Sequence, residues 1–368
     1  MTDDNTSLTT PATTAPVVIS IDAMGGDLGP RAVIGGMAKS AKVNPRIRFV
    51  VHGDRPELEK LLKRRPELAE RCEIIHTEKT ISMDAKPSLA LRNGKGTSMM
   101  ATLQSVAEGK ASVAVSCGNT GALMALSMLT LRKAPGVNRP AIGVLWPSLK
   151  PPYQSVMLDV GADIRADADD LLQYAIMGAS YARNALGLAR PKVGLLNVGT
   201  EQHKGRAELH EAAELLTAAA PTSDFEFVGY VEGNDLPTGR ANVIVTDGFT
   251  GNIALKAGEG TAAMVRTLLK EAFSHSILSR LGALFALTSL RRLQARIDPR
   301  RVNGGVFLGL NGTVIKSHGR ADATGFSAAI KLAFTLTENG FTERLAARVA
   351  SGARQGKDTA QNAEEANS

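Results

Sequence analysis

Short apolar runs rich in β-branched residues recur along the chain, and most end in a glycine-bearing polar turn before a helical segment begins. The runs at 16–21, 48–51, 72–75, 112–115, 154–158, 192–196, 243–246, 306–308 and 313–316 predict strands. Between and after them the apolar spacing predicts helices over 31–43, from 56, up to about 131, over 168–186, around 206–220, up to about 273 and over 324–340. Pro30 suits the first turn of its helix, where the missing N–H costs nothing. Strands alternating with helices of this length imply crossover connections, which place helices on both faces of a mostly parallel sheet. The pattern therefore predicts an α/β fold, and 17–350 reads as a single α/β catalytic domain with no Pro/Ser-rich linker. Residues 1–16 and 351–368 are polar and apolar-poor, which predicts a disordered leader and a disordered tail. The leader lacks the apolar core of a secretory signal.

Composition narrows the class. At 368 residues the chain can bury a large core. With 36 glycines and 4% aromatics, it suits tight strand-to-helix turns better than a stacking platform for single-stranded nucleic acid. Two cysteines, Cys72 and Cys117, exclude a disulfide framework and a Cys-rich zinc site, and a reducing cytoplasm is the natural setting. The net charge of +7 attracts nucleic acid, anionic lipid or an acidic protein. Basic residues crowd 60–71, 92–95 and 280–301 without interleaved aromatics, so nucleic acid is the least favoured of the three.

Five turns carry candidate chemistry, because ligands of open α/β sheets sit outside the carboxyl ends of the strands, beside helix N-termini. All five are expected along that edge. In Asp22-Ala-Met-Gly-Gly-Asp27, Gly25 and Gly26 allow close ligand approach, while Asp22 and Asp27 serve as contacts or as plain caps. Ser116-Cys-Gly-Asn-Thr-Gly121 offers Asn119 and Thr120 as donors; Cys117 reads as a nucleophile or, more simply, as a small buried residue. The turn starting at Asn197 carries His203 and Lys204, whose charge suits a phosphate or an oxyanion. Asp247, Thr250, Asn252 and Lys256 form the strongest anion-site candidate, with Asn252 and Lys256 one helical turn apart. His318, in Lys316-Ser-His-Gly-Arg320, is a candidate acid/base or anion ligand. No nucleotide fingerprint and no clustered metal ligands occur, so no cofactor and no metal are expected; Asp159 and Asp163 read as caps.

Residues 276–297 combine apolar and basic positions. Ile277, Leu281, Leu284 and Phe285 share one helical face, with Arg280, Arg291, Arg292 and Arg296 available to anionic headgroups. The alternative is a subunit interface.

Five motifs in order carry a resemblance: Ile21-Asp-Ala-Met-Gly-Gly-Asp27, Gly118-Asn-Thr-Gly-Ala122, Leu195-Leu-Asn-Val-Gly-Thr-Glu201, Thr246-Asp-Gly-Phe-Thr-Gly-Asn252 and Lys316-Ser-His-Gly319. Over 17–347 the chain resembles the bacterial phosphate acyltransferases of phospholipid synthesis, which make acyl phosphate from acyl-acyl carrier protein. The resemblance implies a fold similar to isocitrate and isopropylmalate dehydrogenases, a homodimer, and loose contact with the inner face of the membrane beside the next, acyl-phosphate-using acyltransferase. It implies neither metal nor nicotinamide. The expected mechanism is direct attack of inorganic phosphate on the thioester. Lys204, Asn252 and His318 hold the phosphate, Asn119 or nearby N–H groups receive the acyl oxygen, and Asp247 orients Lys204 or a hydroxyl. The rivals are a dehydrogenase, by analogy of fold, and a membrane scaffold built on 277–297.

Overall fold

The computed structural model describes residues 15–297 and 304–349. The expected leader, apart from residues 15 and 16, and the whole expected tail lie outside the described residues, as do 298–303 in the basic segment. The first half runs β1 (Val17–Asp22), α1 (Gly29–Val43), β2 (Ile47–Gly53), α2 (Arg55–Leu62), α3 (Pro66–Ala69), β3 (Cys72–His76), α4 (Pro87–Asn93), α5 (Ser98–Ala107), β4 (Val113–Ser116) and α6 (Thr120–Thr130). It continues through β5 (Ala141–Pro147), β6 (Gln154–Leu158), α7 (Ala168–Leu186), β7 (Lys192–Leu196), α8 (Ala207–Ala219), β8 (Glu226–Val231) and β9 (Val243–Val245). The last stretch is α9 (Gly248–Ser274), α10 (Ile277–Phe285), α11 (Leu287–Ile297), β10 (Gly305–Leu308), β11 (Thr313–Lys316), α12 (Ala323–Glu338) and α13 (341–349).

All eleven strands join one sheet in the order β3-β2-β1-β4-β11-β10-β5-β6-β9-β7-β8. The pairs β3-β2, β2-β1, β1-β4 and β4-β11 are parallel, as are β6-β9, β9-β7 and β7-β8. The fold is thus the α/β class that the hydrophobic pattern predicts. The pairs β11-β10, β10-β5 and β5-β6 are antiparallel. Three reversals between the two parallel blocks make them point in opposite directions. Their carboxyl ends therefore fall on opposite edges of the sheet, so the five turns are not gathered along one edge as expected. The reason is β5, a strand bracketed by Pro140 and Pro147 that interrupts the strand-helix alternation.

Side chains alternate across the sheet, and both faces are covered. Val113, Val115, Ile315 and Leu158 join the core that packs α1, α7, α8 and α12; Ala114, Val314, Met157 and Ile244 join the core under α5 and α6. Gly35 and Gly36 bring α1 against α12: a Cβ at either would come within 2.8 Å of the Cβ of Ala323 or Phe326. Helix α9 is different. Of its 27 residues only Gly248 and Gly251 are buried.

Candidate active site

The first edge gathers three turns. Asp22, Ser116 and Lys316 close β1, β4 and β11 as register neighbours. Main-chain bonds stitch the turns that follow: Asp27 N–H donates to the Gly319 carbonyl and Ser317 N–H to the Ser116 carbonyl, each at 2.8 Å. The glycines are sterically required. Gly26 has φ +87°, and a Cβ there would lie 2.7 Å from Cys117 Cβ; one on Gly25 would lie 2.7 Å from Asp22 Oδ2 and Gly118 N.

Within this knot the acids divide. Asp22 is 1% exposed, accepts from Ser116 Oγ at 2.7 Å and has its carboxyl pushed up by burial. It supports the turn through Ser116 and through Met24 N–H at 3.3 Å. Asp27 stays at the surface, 3.8 Å from Arg320 Nε. The Asn119 side chain is bonded within its own surroundings, which favours the nearby N–H groups of the two expected oxyanion donors. Its Nδ2 donates to the carbonyls of Met83 and Ala85, and its Oδ1 caps α6 through Ala122 N–H at 2.9 Å. Thr120 opens α6. Cys117 is buried, with its thiol pushed up to about 11, which fits the small buried residue and not an activated nucleophile. His52 is likewise internal, its Nε2 shared between Ser20 Oγ and Ser105 Oγ at 3.1 Å, and burial lowers its imidazole to about 4.

Lys316 is the residue that sequence reasoning left out at this edge. Its Nζ donates to the Cys117 carbonyl at 3.4 Å and to the Ser317 carbonyl, and burial lowers its pKa to about 8. His318 follows at the surface. Its imidazole is pushed down by partial burial, opposed by Glu259 and reinforced by Lys256.

The second edge gathers the ends of β6, β9 and β7. Asp159 N–H donates to the Thr246 carbonyl and Thr246 N–H to the Leu158 carbonyl. The Asp159 carboxylate accepts the N–H groups of Ile142, Gly161, Ala162 and Asp163 at 2.7–3.2 Å, so it is satisfied by main chain alone. Among the described residues no group of three or more His, Cys, Asp and Glu is placed to hold a metal ion.

Asp247 is the N-cap of α9. Its Oδ1 accepts Thr250 N–H at 2.8 Å, and its Oδ2 accepts Thr250 Oγ1 at 3.0 Å and an Arg206 guanidinium N–H. Of the two expected partners, Lys204 or a hydroxyl, Asp247 meets the hydroxyl, that of Thr250, together with Arg206, while Lys204 pairs with Glu201 at 2.8 Å in an exposed loop. Arg206 is the second residue the sequence did not single out. Asn197 shapes the Lys204 loop: its Nδ2 donates to the Lys204 carbonyl at 2.8 Å, tucked against Gly205 with φ +103°.

Helix α9 connects the two edges. Gly248 and Gly251 pass directly against Asp159, where no Cβ would fit, and Asn252 lies beside Gly161. Two turns later Gly258 crosses the Trp146 ring at the end of β5, with a Cβ position 2.5 Å away. By then Lys256, paired with Glu259 at 2.9 Å, acts electrostatically on Lys316 and His318. One polar helix face thus runs from Asp247 and Asn252 at one edge to Lys256 and Glu259 at the other. The first turn of α9 offers the positive end of the helix dipole to an anion, and Asn252 and Lys256 offer donors to a developing oxyanion.

Comparison with known proteins gives the family. Residues 17–344 match the family described as fatty acid synthesis protein. A phosphate acyltransferase of Jannaschia sp. (strain CCS1) is 67% identical over 333 residues, covering 90% of this chain and 91% of the relative. One from Paracoccus denitrificans (strain Pd 1222) is 66% identical over 348 residues, covering 95% and 94%. Among solved structures, a phosphotransacetylase from Streptococcus pyogenes aligns with a TM-score of 0.58 at 19% identity, over 89% of this chain and 94% of that one, a likeness of fold. At this identity over nearly the whole chain, the protein is an acyltransferase. The chain belongs to the fatty acid synthesis protein family.

Proposed function

We propose that the protein transfers a fatty acyl group from acyl-acyl carrier protein to inorganic phosphate, releasing the carrier thiol and forming acyl phosphate for phospholipid synthesis. The observation that supports this most is the α9 face, which joins Asn252 to Lys256 and His318 across the two edges. Phosphate, already largely a dianion, is held by Lys204, Asn252 and His318 and attacks the thioester carbon directly. The carbonyl oxygen takes up charge beside the first turn of α6, which begins at Thr120, with Gly25 and Gly26 giving the chain room to approach. The tetrahedral adduct collapses with the thiolate leaving, a step that positioning and charge stabilisation accelerate without a covalent enzyme intermediate. Asp247 acts through Thr250 and Arg206. No metal, nicotinamide or nucleic acid takes part.

The same reading assigns the surfaces. The acidic carrier protein is drawn to the basic stretches near 92–95 and 280–297. The exposed apolar face of α9, with Phe249, Ile253, Met264 and Leu268 between 54% and 60% exposed, seats a second copy of the chain in a homodimer. Helices α10 and α11 rest on anionic lipid, near the acyltransferase that consumes the product. Among the described residues no helix is long and apolar enough to cross a membrane, so this contact is peripheral.

Substituting Lys204→Ala or Asn252→Ala tests the site. Each is expected to lower phosphate-dependent thiol release about 100-fold or more, as loss of one oxyanion-stabilising group does. Turnover unchanged in both would remove them from the mechanism.

A further inference from the structure

Lys316 ends β11 between two turns that belong to different strands. Its Nζ reaches the carbonyl of Cys117, after β4, and that of Ser317, in its own turn. Two main-chain bonds, Asp27 N–H to the Gly319 carbonyl and Ser317 N–H to the Ser116 carbonyl, join the same three turns. A long cationic side chain held by main-chain carbonyls, instead of by a carboxylate, is an uncommon way to finish a strand. The chain needs some reason to bury it.

We propose that Lys316 is a positioning residue of the acyl-transfer site: its ammonium ties the turn after β4 to the turn after β11 and so fixes His318 opposite the Lys256 face of α9. This rests on the transferase reading of that face. The groups that face Lys316 come from every surrounding turn. Cys117 lies on the β4 turn, Asp22 and Asp27 on the β1 turn, His318 on its own turn, and Lys256 on α9, with Glu259 acting on His318 in turn. Burial is the largest influence on the ammonium and lowers its pKa; Cys117, Asp22 and Asp27 oppose it, and Lys256 reinforces it.

A protonated amine makes charge-assisted bonds that weaken when it loses its proton. Stability and positioning then respond to pH with opposite signs. A lysine that titrates near 8 in the folded protein, against 10.5 when free, binds fewer protons in the folded than in the unfolded state between those values. Its charged form costs stability fully below pH 8, and that cost is relieved as pH rises from about 8 to 10.5. Turnover should fall over the same window as the turns loosen. A merely structural lysine would shift stability in the same way and leave turnover unmoved.

The test measures phosphate-dependent thiol release, with the phosphate-free rate subtracted, and thermal unfolding from pH 6.5 to 10, on the full chain and its Lys316→Met and Lys316→Arg variants. For the wild type, kcat should decline through one ionisation near pH 8, about tenfold per pH unit above it, while the Tm holds or rises. Lys316→Met should lower kcat about tenfold or more at pH 7 with KM within about threefold, with an equal or higher Tm. In Lys316→Arg, which keeps its charge throughout, the alkaline limb should move beyond pH 10. Hydrogen exchange should quicken at 116–119 and 317–320 in the Met variant while the sheet stays protected. An unchanged kcat in the Met variant, an alkaline limb still near 8 in the Arg variant, or exchange unaltered at both turns would overturn the proposal. A wild type that releases no thiol with phosphate would instead overturn the transferase reading, and this role with it.

Discussion

Asp247 is only 3% exposed on its side chain, yet it meets the guanidinium of Arg206, whose side chain is 56% exposed. The buried acid thus receives three hydrogen bonds, two from Thr250 and one from a residue that opens the next-door helix α8. That arrangement holds the first turn of α9 against the Lys204 loop, and with it the placement of Asn252. Arg206→Met should cost about 1–3 kcal/mol, because it leaves one lone pair of a buried carboxylate without its charged donor. It should also lower kcat about tenfold to a hundredfold through misplacement of the Asn252 turn. Thermal unfolding with steady-state kinetics checks both; a lower Tm with unchanged kcat would make the pair structural only. At this scale the sequence was informative about the type of side chain and poor about its partners. Asn119, Asp22 and Asn252 sit in turns whose glycine content marks them from sequence. Whether each points at a ligand or back at its own turn depends on chains 34 to 94 residues away, such as Ala85 for Asn119 and Ser116 for Asp22.

Among the elements, α9 and its sequel are the parts that the core does least to hold. The strands were legible because both faces of the sheet are buried, so each reads as an apolar run. The exceptions, β5 and β8, were missed for physical reasons. The first enters from Pro140 and pairs antiparallel on both sides, outside the strand-helix rhythm. The second, Glu226–Val231, begins with a charged, exposed residue at the sheet edge. The two helices α4 and α5 were also unmarked, since they follow one another across the short Gly94–Gly96 turn with no apolar strand run between them. Beyond α9, the sequence showed an apolar stripe, and α10 presents it: Leu278 is 80% and Phe285 92% exposed. If this stripe meets lipid, Leu278→Glu with Phe285→Glu should weaken cosedimentation with phosphatidylglycerol vesicles about tenfold or more, from the loss of about 1.5–3 kcal/mol per large apolar side chain. At saturating acyl-acyl carrier protein kcat should stay at the wild-type level, since charges added beside the 280–297 carrier surface act on the encounter and so on KM. Undiminished sedimentation would assign the stripe to protein contact instead.

For the molecule as a whole, the reversal at β5 decides the geometry of the site. Two parallel blocks facing opposite ways put their turns on opposite edges, and the 27-residue α9 runs between them. This could not be read from the turns singly, because each looks the same whichever way its block points. It also explains why the motifs are spread from residue 21 to residue 319. Three of them knot the first edge, one builds the Lys204 loop at the second, and the Thr246–Asn252 motif launches the helix between. Net charge of +7 then suits an acidic protein donor on the way to such a site. The central claim is that phosphate is the acyl acceptor. Purified protein mixed with acyl-acyl carrier protein, without added metal or nicotinamide, should release free thiol at a rate that rises with phosphate and saturates, with acyl phosphate formed in equal amount. Thiol release that does not depend on phosphate, or none at any phosphate concentration, would contradict the account.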